Sequence, residues 1–499
     1  MTGDPTLLSR FVRSSAAAAL SQGWRVLVTF GSMLVLKRLI APEDWGLVDW
    51  MLPIFLVLGA VRDLGLIYHI VRLPEPRPYG NLLRLEIVWG GALGLAALLL
   101  APYASVIYRD PHPDLAAALR AMVLFLLFEG LATVPKIYLE TELRIGRAVV
   151  PELLRNAVMA GGAIALALLD YGAWAVIVSQ VAAAALYAAL LWWRVRGQIR
   201  LVYLRGQTLR LVHQSLPLAV IWFLTIFVRH IDPLILAFRF DAETVGNYAF
   251  AYQNAFRVSE ILVPALARAL YPALVALAGA AAARFRAFAL TNLAVLAVEV
   301  PAAYALAINA ELAIRILGGD AWMSSPSFLR ILCFAPLVDP FSRLGGELLK
   351  ADHQDRLWIA ATLLTLLSYA GGGLLLTGLY GPIAMAWVNL LPLGAPLMAW
   401  GLYRMAPAAF RAMVRDLAFV YAAPIPLFAL AVGGAAALTA PLGLGSAGAD
   451  WLRFGLSLLA SLASLGLFYH RFGDAFLAFV RGARRGGDAA AVDTAESAP

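Results

Sequence analysis

Long apolar stretches cover almost the whole of this 499-residue chain, and short loops separate them. About fourteen such stretches occur, each about twenty residues long, which is the length of a helix that crosses a hydrocarbon core about 30 Å thick. They are too long and too evenly apolar to be barrel strands, and lipid admits only helices and closed barrels. The sequence therefore predicts an all-α polytopic membrane protein with about 14 transmembrane helices.

The charges of the loops alternate along the chain. Every second loop is rich in arginine, whereas the loops between them carry acidic residues such as Glu43, Asp44, Asp241 and Asp320. The positive-inside rule places the arginine-rich loops in the cytoplasm. An even number of crossings then places both termini there. The basic residues form no single patch or tail, so nucleic acid is not predicted as a partner.

Two pairs of segments echo one another at nearly equal offsets. RLIAPEDWGL at 38–47 follows the first helix and RFDAETVGNY at 239–248 follows the seventh, while Tyr-Gly pairs at 171–172 and 380–381 open helices six and twelve. These echoes predict a duplicated six-helix unit in parallel orientation. Acidic loops that end in glycine are also ordinary helix boundaries, and a chance echo is the alternative.

The predicted domain organisation follows from these repeats. It comprises an N-terminal six-helix lobe at 14–194, a basic cytoplasmic amphipathic linker at 195–211, a C-terminal six-helix lobe at 212–404, an accessory helix pair at 405–474 and a disordered tail at 475–499. Ile199, Val202 and Leu209 give the linker an apolar side, which favours a position along the membrane surface. The composition of the tail favours disorder.

Ionisable residues occur inside several predicted helices. Each costs at least about 2.5–3.5 kcal/mol at the bilayer centre, so it is expected to face an interior or a watery cavity. Cations recur in helices one, two, seven and eight, and two lobes that meet at a cleft would place them along it. The candidate anion-binding residues are Arg25, Arg62, Arg229 and Arg257, because guanidinium groups suit phosphate. The alternative, given equal weight, is that each arginine forms an ion pair with a nearby carboxylate and only joins helices.

Four internal carboxylates, Asp63, Asp232, Glu260 and Glu299, are candidates for carrying a coupling proton or sodium ion. No other cofactor and no metal site is predicted, since the histidines are scattered singly and no phosphate-binding glycine loop occurs. The loops are too short for a catalytic domain, so the chain is not predicted to be an enzyme.

Short motifs along residues 10–405 add a family resemblance. The first is LIAPEDWGL at 39–47, and the others involve Gly172, Trp174, Ala175, Asp232, Gly246, Tyr248, Ala251, Pro272, Gly318, Gly319 and Trp322. In this order and spacing they resemble the Wzx-type oligosaccharide flippases, which belong to the multidrug/oligosaccharidyl-lipid/polysaccharide (MOP) exporter superfamily. Trp45 stands where the family's Pro-Glu-Asp-Phe-Gly turn usually has Phe or Tyr.

The resemblance implies two six-helix lobes around a central cavity and alternating access. It implies that the chain flips polyprenyl-pyrophosphate-linked oligosaccharide across the cytoplasmic (inner) membrane, for lipopolysaccharide, capsule or exopolysaccharide synthesis. The implied partners are undecaprenyl-pyrophosphate-linked oligosaccharide, the lipid bilayer, and a polysaccharide polymerase with its co-assembly proteins. The alternatives are a multidrug or other small-molecule exporter of the same fold, a membrane-bound polysaccharide polymerase or ligase, and a non-transporting assembly scaffold.

Overall fold

Helices account for the regular secondary structure of the chain. The structure, a computed structural model, describes Trp24 and residues 28–63, 77–103, 113–141, 146–204, 206–277, 281–352 and 354–496. Within these ranges no residue lies in a strand, and the predicted all-α fold class is confirmed.

The helices follow one another with short connections. In chain order they are α1 (28–39), α2 (Pro42–Asp63), α3 (Tyr79–Leu100), α4 (Leu115–Thr141), α5 (Gly146–Ala167), α6 (Ala173–Val195), α7 (Gln207–Ala237), α8 (Ala242–Ala255), α9 (Arg257–Ala276), α10 (Ala281–Ile308), α11 (Ala310–Gly318), α12 (Ser325–Leu332), α13 (Asp339–Ala351), α14 (Asp355–Tyr380), α15 (Ile383–Val388), α16 (Gly394–Met405), α17 (Pro407–Ala422), α18 (Pro424–Thr439) and α19 (Ser446–Glu496). Short 3₁₀ turns lie at Ala101–Tyr103, Asp320–Trp322 and Ala335–Val338.

Eight described segments are long and apolar enough to cross a membrane by length and composition. They are Tyr79–Tyr103, Leu115–Leu139, Arg147–Ala167, Ala173–Val195, Ala282–Ile308, Arg356–Tyr380, Pro407–Thr439 and Ser446–Asp474. Much of their apolar surface is exposed, as lipid contact requires; Leu375 and Leu379 on α14 are 70% and 74% exposed. The chain is a multi-pass membrane protein, and the count of about 14 crossings stays a prediction.

Four predicted spans are interrupted in the structure. Helix eight of the sequence (246–271) divides into α8 and α9, helix ten (328–349) into α12 and α13, helix twelve (382–403) into α15 and α16, and helix thirteen (417–439) into α17 and α18. The break in helix ten lies at the 3₁₀ turn beside Pro336 and Pro340, where the sequence predicts kinks, since proline removes a backbone donor. Further along, α19 is helical to Glu496, so it includes the segment that composition assigns to a disordered tail.

The chain divides into two compact units. Unit 1 comprises Met1–Ala249 and Leu317–Trp322, and unit 2 comprises Phe250–Ile316 and Met323–Pro499. In unit 1 a buried cluster joins α3, α4 and α6 through side chains such as Leu82, Ile137 and Leu191. Unit 1 includes α7, which the sequence assigns to the second lobe; the predicted lobe boundaries stay a prediction.

The core of unit 2 is built mainly around α10. Phe288 packs in a cluster with Leu344 of α13 and Leu402 of α16. A second cluster joins α10 to α17 and α19, and Val300 and Phe472 belong to it. α10 carries few charges, which suits a helix that is packed on several sides. Its acidic residue Glu299 is therefore surrounded by protein.

Candidate functional site

The two segments that echo one another in the sequence contact each other at the starts of α2 and α8. A Cβ added to Gly46 would lie 1.9 Å from the carbonyl oxygen of Ala242, and a Cβ added to Gly246 would lie 2.5 Å from that of Pro42. Gly46 and Gly246 hold equivalent positions in the repeat, as do Pro42 and Ala242. The contact is therefore reciprocal, like an isologous interface. We call it the paired crossing; all four residues belong to unit 1.

An aromatic cage beside the crossing encloses a lysine. The Lys37 ammonium lies 3.9 Å from the ring centre of Trp45 and 4.0 Å from that of Trp322, and the side chain is 1% exposed. The indole N–H of Trp322 donates to the Lys37 carbonyl oxygen at 2.7 Å. Both rings stabilise the cation electrostatically. Trp322 brings a segment distant in sequence into unit 1.

A turn at the start of α6 completes this part of unit 1. Gly172 has a φ of +52°, and a Cβ there would lie 2.6 Å from a carboxylate oxygen of Asp44. Glycine is required for both reasons. The indole N–H of Trp174 donates to the Asp114 carboxylate at 3.0 Å. The family-like residues Gly172 and Trp174 thus lie against two acidic side chains, Asp44 on α2 and Asp114 before α4.

Arg62 lies in a closed ion pair rather than along an open cleft. Its Nε is 3.3 Å from a carboxylate oxygen of Glu86, and its Nη1 donates to the Leu126 carbonyl oxygen at 2.8 Å. The Arg62 side chain is 10% exposed and that of Glu86 is 1% exposed. Gly130 and Gly90 leave the space that the pair occupies, since a Cβ at either would contact Arg62. At this position the structure shows the neutralised alternative, with Glu86 as a partner of Arg62.

The other predicted anion-binding residues differ in their surroundings. Arg229 on α7 and Arg257 at the start of α9 are half-buried, one in each unit. Arg25 lies outside the described residues, as does the side chain of Asp63 at the end of α2. Glu260, one turn after Arg257, is exposed.

Two predicted coupling carboxylates are buried. Asp232 is 1% exposed and accepts a hydrogen bond of 2.9 Å from the Tyr248 hydroxyl, so two family-like residues join α7 to α8. Glu299 on α10 is 3% exposed, and neither of its oxygens accepts a hydrogen bond from a described residue.

The polar neighbours of Glu299 come from two other helices of unit 2. Ser259 of α9 and Arg343 of α13 both donate to the same oxygen of Asp339, each at 3.0 Å. Arg343 therefore pairs with Asp339, although the sequence also sets Glu347 one turn away from it. A buried carboxylate that accepts no hydrogen bond can bind a cation or a proton, which compensates its charge.

Sequence reasoning missed the residues that hold these features together. Glu86 gave a signal, since it is a lone acid in an apolar stretch, and so did Lys37, a lone lysine at the end of helix one. Their partners Arg62 and Trp322 lie on other segments of the chain, and only the fold brings them close. Within the described ranges no group of three histidine, cysteine or acidic residues could hold a metal ion.

Comparison with known families gives a match over more than half of the chain. A family model described as polysaccharide biosynthesis protein matches residues 35–327. This range contains the paired crossing, the cage and the Arg62–Glu86 pair. No curated protein matches the sequence.

Solved structures resemble the fold over 78–92% of this chain. The lipid II flippase MurJ in an inward closed conformation matches with a TM-score of 0.68 and 13% identity, over 92% of this chain and 99% of MurJ. An inward-facing multidrug resistance MATE transporter matches with a TM-score of 0.61 and 13% identity, over 78% of this chain and 96% of the transporter. A MOP superfamily transporter from Pyrococcus furiosus, described by the reverse polarity of its binding pocket, matches with a TM-score of 0.53 and 14% identity, over 82% of this chain and 97% of that transporter. This chain has the fold of the MOP superfamily.

Proposed function

Since the chain belongs to the polysaccharide biosynthesis protein family, we propose that it is a flippase for polyprenyl-pyrophosphate-linked oligosaccharide in the cytoplasmic (inner) membrane. The family match carries this proposal, because it assigns a chain built of apolar helices to polysaccharide synthesis. Sugar units assembled on a lipid in one leaflet must cross the bilayer before export. A MOP fold suits that step better than the polymerase or ligase alternative, which would need a large loop for catalysis.

The paired crossing supports alternating access as the mechanism. Backbone meets backbone at Gly46 and Gly246, with no side chain between them. The structure has this contact packed, and a gate would require a second state in which the two helix starts are separated. In the proposed cycle the crossing is packed while the outward path is closed and separates when that path opens. The caged Lys37 holds the end of α1 against this gate.

Arg229 and Arg257 are the proposed contacts for the pyrophosphate, because half-buried guanidinium groups can offer a bidentate fork to an anion. Arg25 remains a proposed contact as well. Arg62 can take part only if the substrate displaces Glu86 from it.

Glu299 is the proposed carrier of a coupling proton or sodium ion, and Asp232, Glu260 and Asp63 remain candidates for the same role. The Glu299 carboxylate lies inside unit 2, where a bound cation would compensate its charge. The polyprenyl tail would stay in lipid throughout, and a polysaccharide polymerase would receive the product.

The test uses purified protein in vesicles that contain fluorescently labelled polyprenyl-pyrophosphate oligosaccharide. Arg229→Ala should slow translocation by about 10- to 150-fold, because a hydrogen-bonded charged contact contributes about 1.5–3 kcal/mol. Arg411→Ala is the matched control, since Arg411 is an exposed arginine on α17. An unchanged rate in Arg229→Ala would remove this residue from the mechanism. Wild-type protein that moves cationic drugs but no lipid-linked sugar would overturn the proposed function itself.

A further inference from the structure

A basic segment without acidic residues connects α6 to α7. We call residues 194–204 the strap. It carries Arg194, Arg196 and Arg200, and no aspartate or glutamate occurs from 194 to 206. Arg196 and Arg200 are exposed. The strap therefore presents positive charge that its own sequence does not neutralise.

The strap lies level with the ends of two candidate membrane spans. Its first two residues are the last two of α6, whose span ends at Val195, and its other end is bonded to the first residues of the span of α3. The Gly80 N–H donates to the Val202 carbonyl oxygen at 3.0 Å. The Asn81 side chain donates to the Leu204 carbonyl oxygen at 2.9 Å and accepts from the Leu204 N–H at 2.7 Å. By this assignment of spans, the strap lies at the boundary between lipid and water.

Close packing fixes the strap in this place. A Cβ added to Gly80 would lie 2.8 Å from both the Tyr203 ring and the Val202 carbonyl oxygen. Such contacts leave no room for movement toward α3. A fixed segment loses little conformational freedom when it binds a partner.

Large apolar side chains point outward beside the arginines. Tyr203 is 57% exposed, Leu201 is 41% exposed, and Trp193 on the last turn of α6 is 64% exposed. Tyrosine and tryptophan are enriched at membrane interfaces, where one part of the side chain is wet and the other contacts lipid. A soluble anion would leave this apolar surface in water, whereas a lipid surface would cover it.

We propose that the strap is a binding surface for the anionic phospholipid of the adjacent leaflet. Arg196 and Arg200 contact the headgroup phosphates, while Leu201 and Tyr203 insert between the headgroups. On the predicted topology this is the cytoplasmic leaflet, whose negative surface potential attracts basic segments. The inference goes beyond the proposed flippase function, and it stands whether or not the chain moves lipid-linked sugar.

The test measures the thermal unfolding midpoint of the full-length protein in neutral detergent, with added phosphatidylglycerol or phosphatidylcholine. Phosphatidylglycerol should raise the midpoint of the wild type, and salt should weaken this effect. R196E/R200E should need at least about thirty-fold more phosphatidylglycerol for the same rise, since each basic residue near an anionic surface contributes about 1 kcal/mol. R286E/R411E is the matched control, because both residues are exposed and the charge change is the same.

Several outcomes would overturn the proposal. One is an equal phosphatidylglycerol requirement in the two double variants, and another is an equal response of the wild type to both lipids. Farnesyl pyrophosphate provides the third arm, since loss of the phosphatidylglycerol effect at equimolar amounts would assign the surface to the substrate instead. If R196E/R200E does not fold, L201S/Y203S keeps every charge and should still weaken the response.

Discussion

Gly46→Ala is the change that tests the paired crossing most directly. The added methyl carbon would lie 1.9 Å from the Ala242 carbonyl oxygen and 2.5 Å from the attached carbon. These are backbone atoms, so no side-chain rotation can relieve the clash. A carbon and a carbonyl oxygen approach no closer than about 3.3 Å even in favourable contacts. The start of α8 would therefore have to move away from α2 by about 1.4 Å.

The cost of that movement falls on only one of the two states of the proposed gate. Overpacking a tight contact costs about 1–3 kcal/mol, and the separated state does not have this contact. A penalty of about 2 kcal/mol would shift the equilibrium toward the separated state by about thirty-fold. Gly246→Ala, with its nearest distance of 2.5 Å, should shift it in the same direction by less.

A single reporter cysteine makes the shift measurable. The chain has one cysteine, Cys333, which is buried and can be replaced by alanine. Ala249 on α8 is 4% exposed, so Ala249→Cys should react slowly with a membrane-impermeant thiol reagent while the crossing is packed. We expect the labelling rate to be lowest in the reporter background, higher with Gly246→Ala and highest with Gly46→Ala.

Gly161→Ala is the control, because a Cβ there would meet no atom within 4 Å. It should label at the rate of the reporter background and unfold at the same temperature or slightly higher, because alanine is favoured over glycine inside a helix. If Gly46→Ala labels no faster than Gly161→Ala in folded protein, the crossing is not a gate. If both repeat glycines accept alanine without loss of stability, the reciprocal contact itself is refuted.

Two further predictions concern stability. Glu86→Ala should destabilise the folded protein by about 3–5 kcal/mol, because it leaves the Arg62 guanidinium buried without its carboxylate; unfolding in mixed micelles measures this, and wild-type stability would refute a structural pair. Trp322→Phe should cost about 1–3 kcal/mol, because the buried Lys37 carbonyl oxygen loses its indole donor. Its thermal midpoint should fall below that of Trp451→Phe, a change at a 55% exposed tryptophan.

The fold class could be predicted because lipid leaves a chain few choices. The duplicated six-helix unit stays a prediction, although the two echoed turns contact each other. The motifs were informative for a physical reason that the structure supplies. Gly46 and Gly246 permit backbone contact, Tyr248 donates to Asp232, and Trp322 covers Lys37. Each of these contacts requires one residue type at one position. The residues that make the contacts therefore form motifs that can be recognised in a single sequence.

The environment of each charge could not be predicted in the same way. Arg62 and Asp63 are adjacent in sequence, yet successive residues on a helix point in different directions. The pairing of Arg62 with Glu86 depends on how α2, α3 and α4 pack, and on the space left by Gly90 and Gly130. Helix positions alone therefore place an arginine in the membrane without telling whether it faces a substrate or a carboxylate.

The cage around Lys37 has a consequence for biogenesis. One of its walls is Trp322, whose codon follows that of Lys37 by 285 positions. The ribosome must synthesise α9 and α10 of unit 2 before it reaches Leu317–Trp322, the last segment of unit 1. The N-terminal half therefore cannot complete the cage by itself during insertion. In a nascent chain that is arrested before residue 322, Lys37 lacks the Trp322 ring.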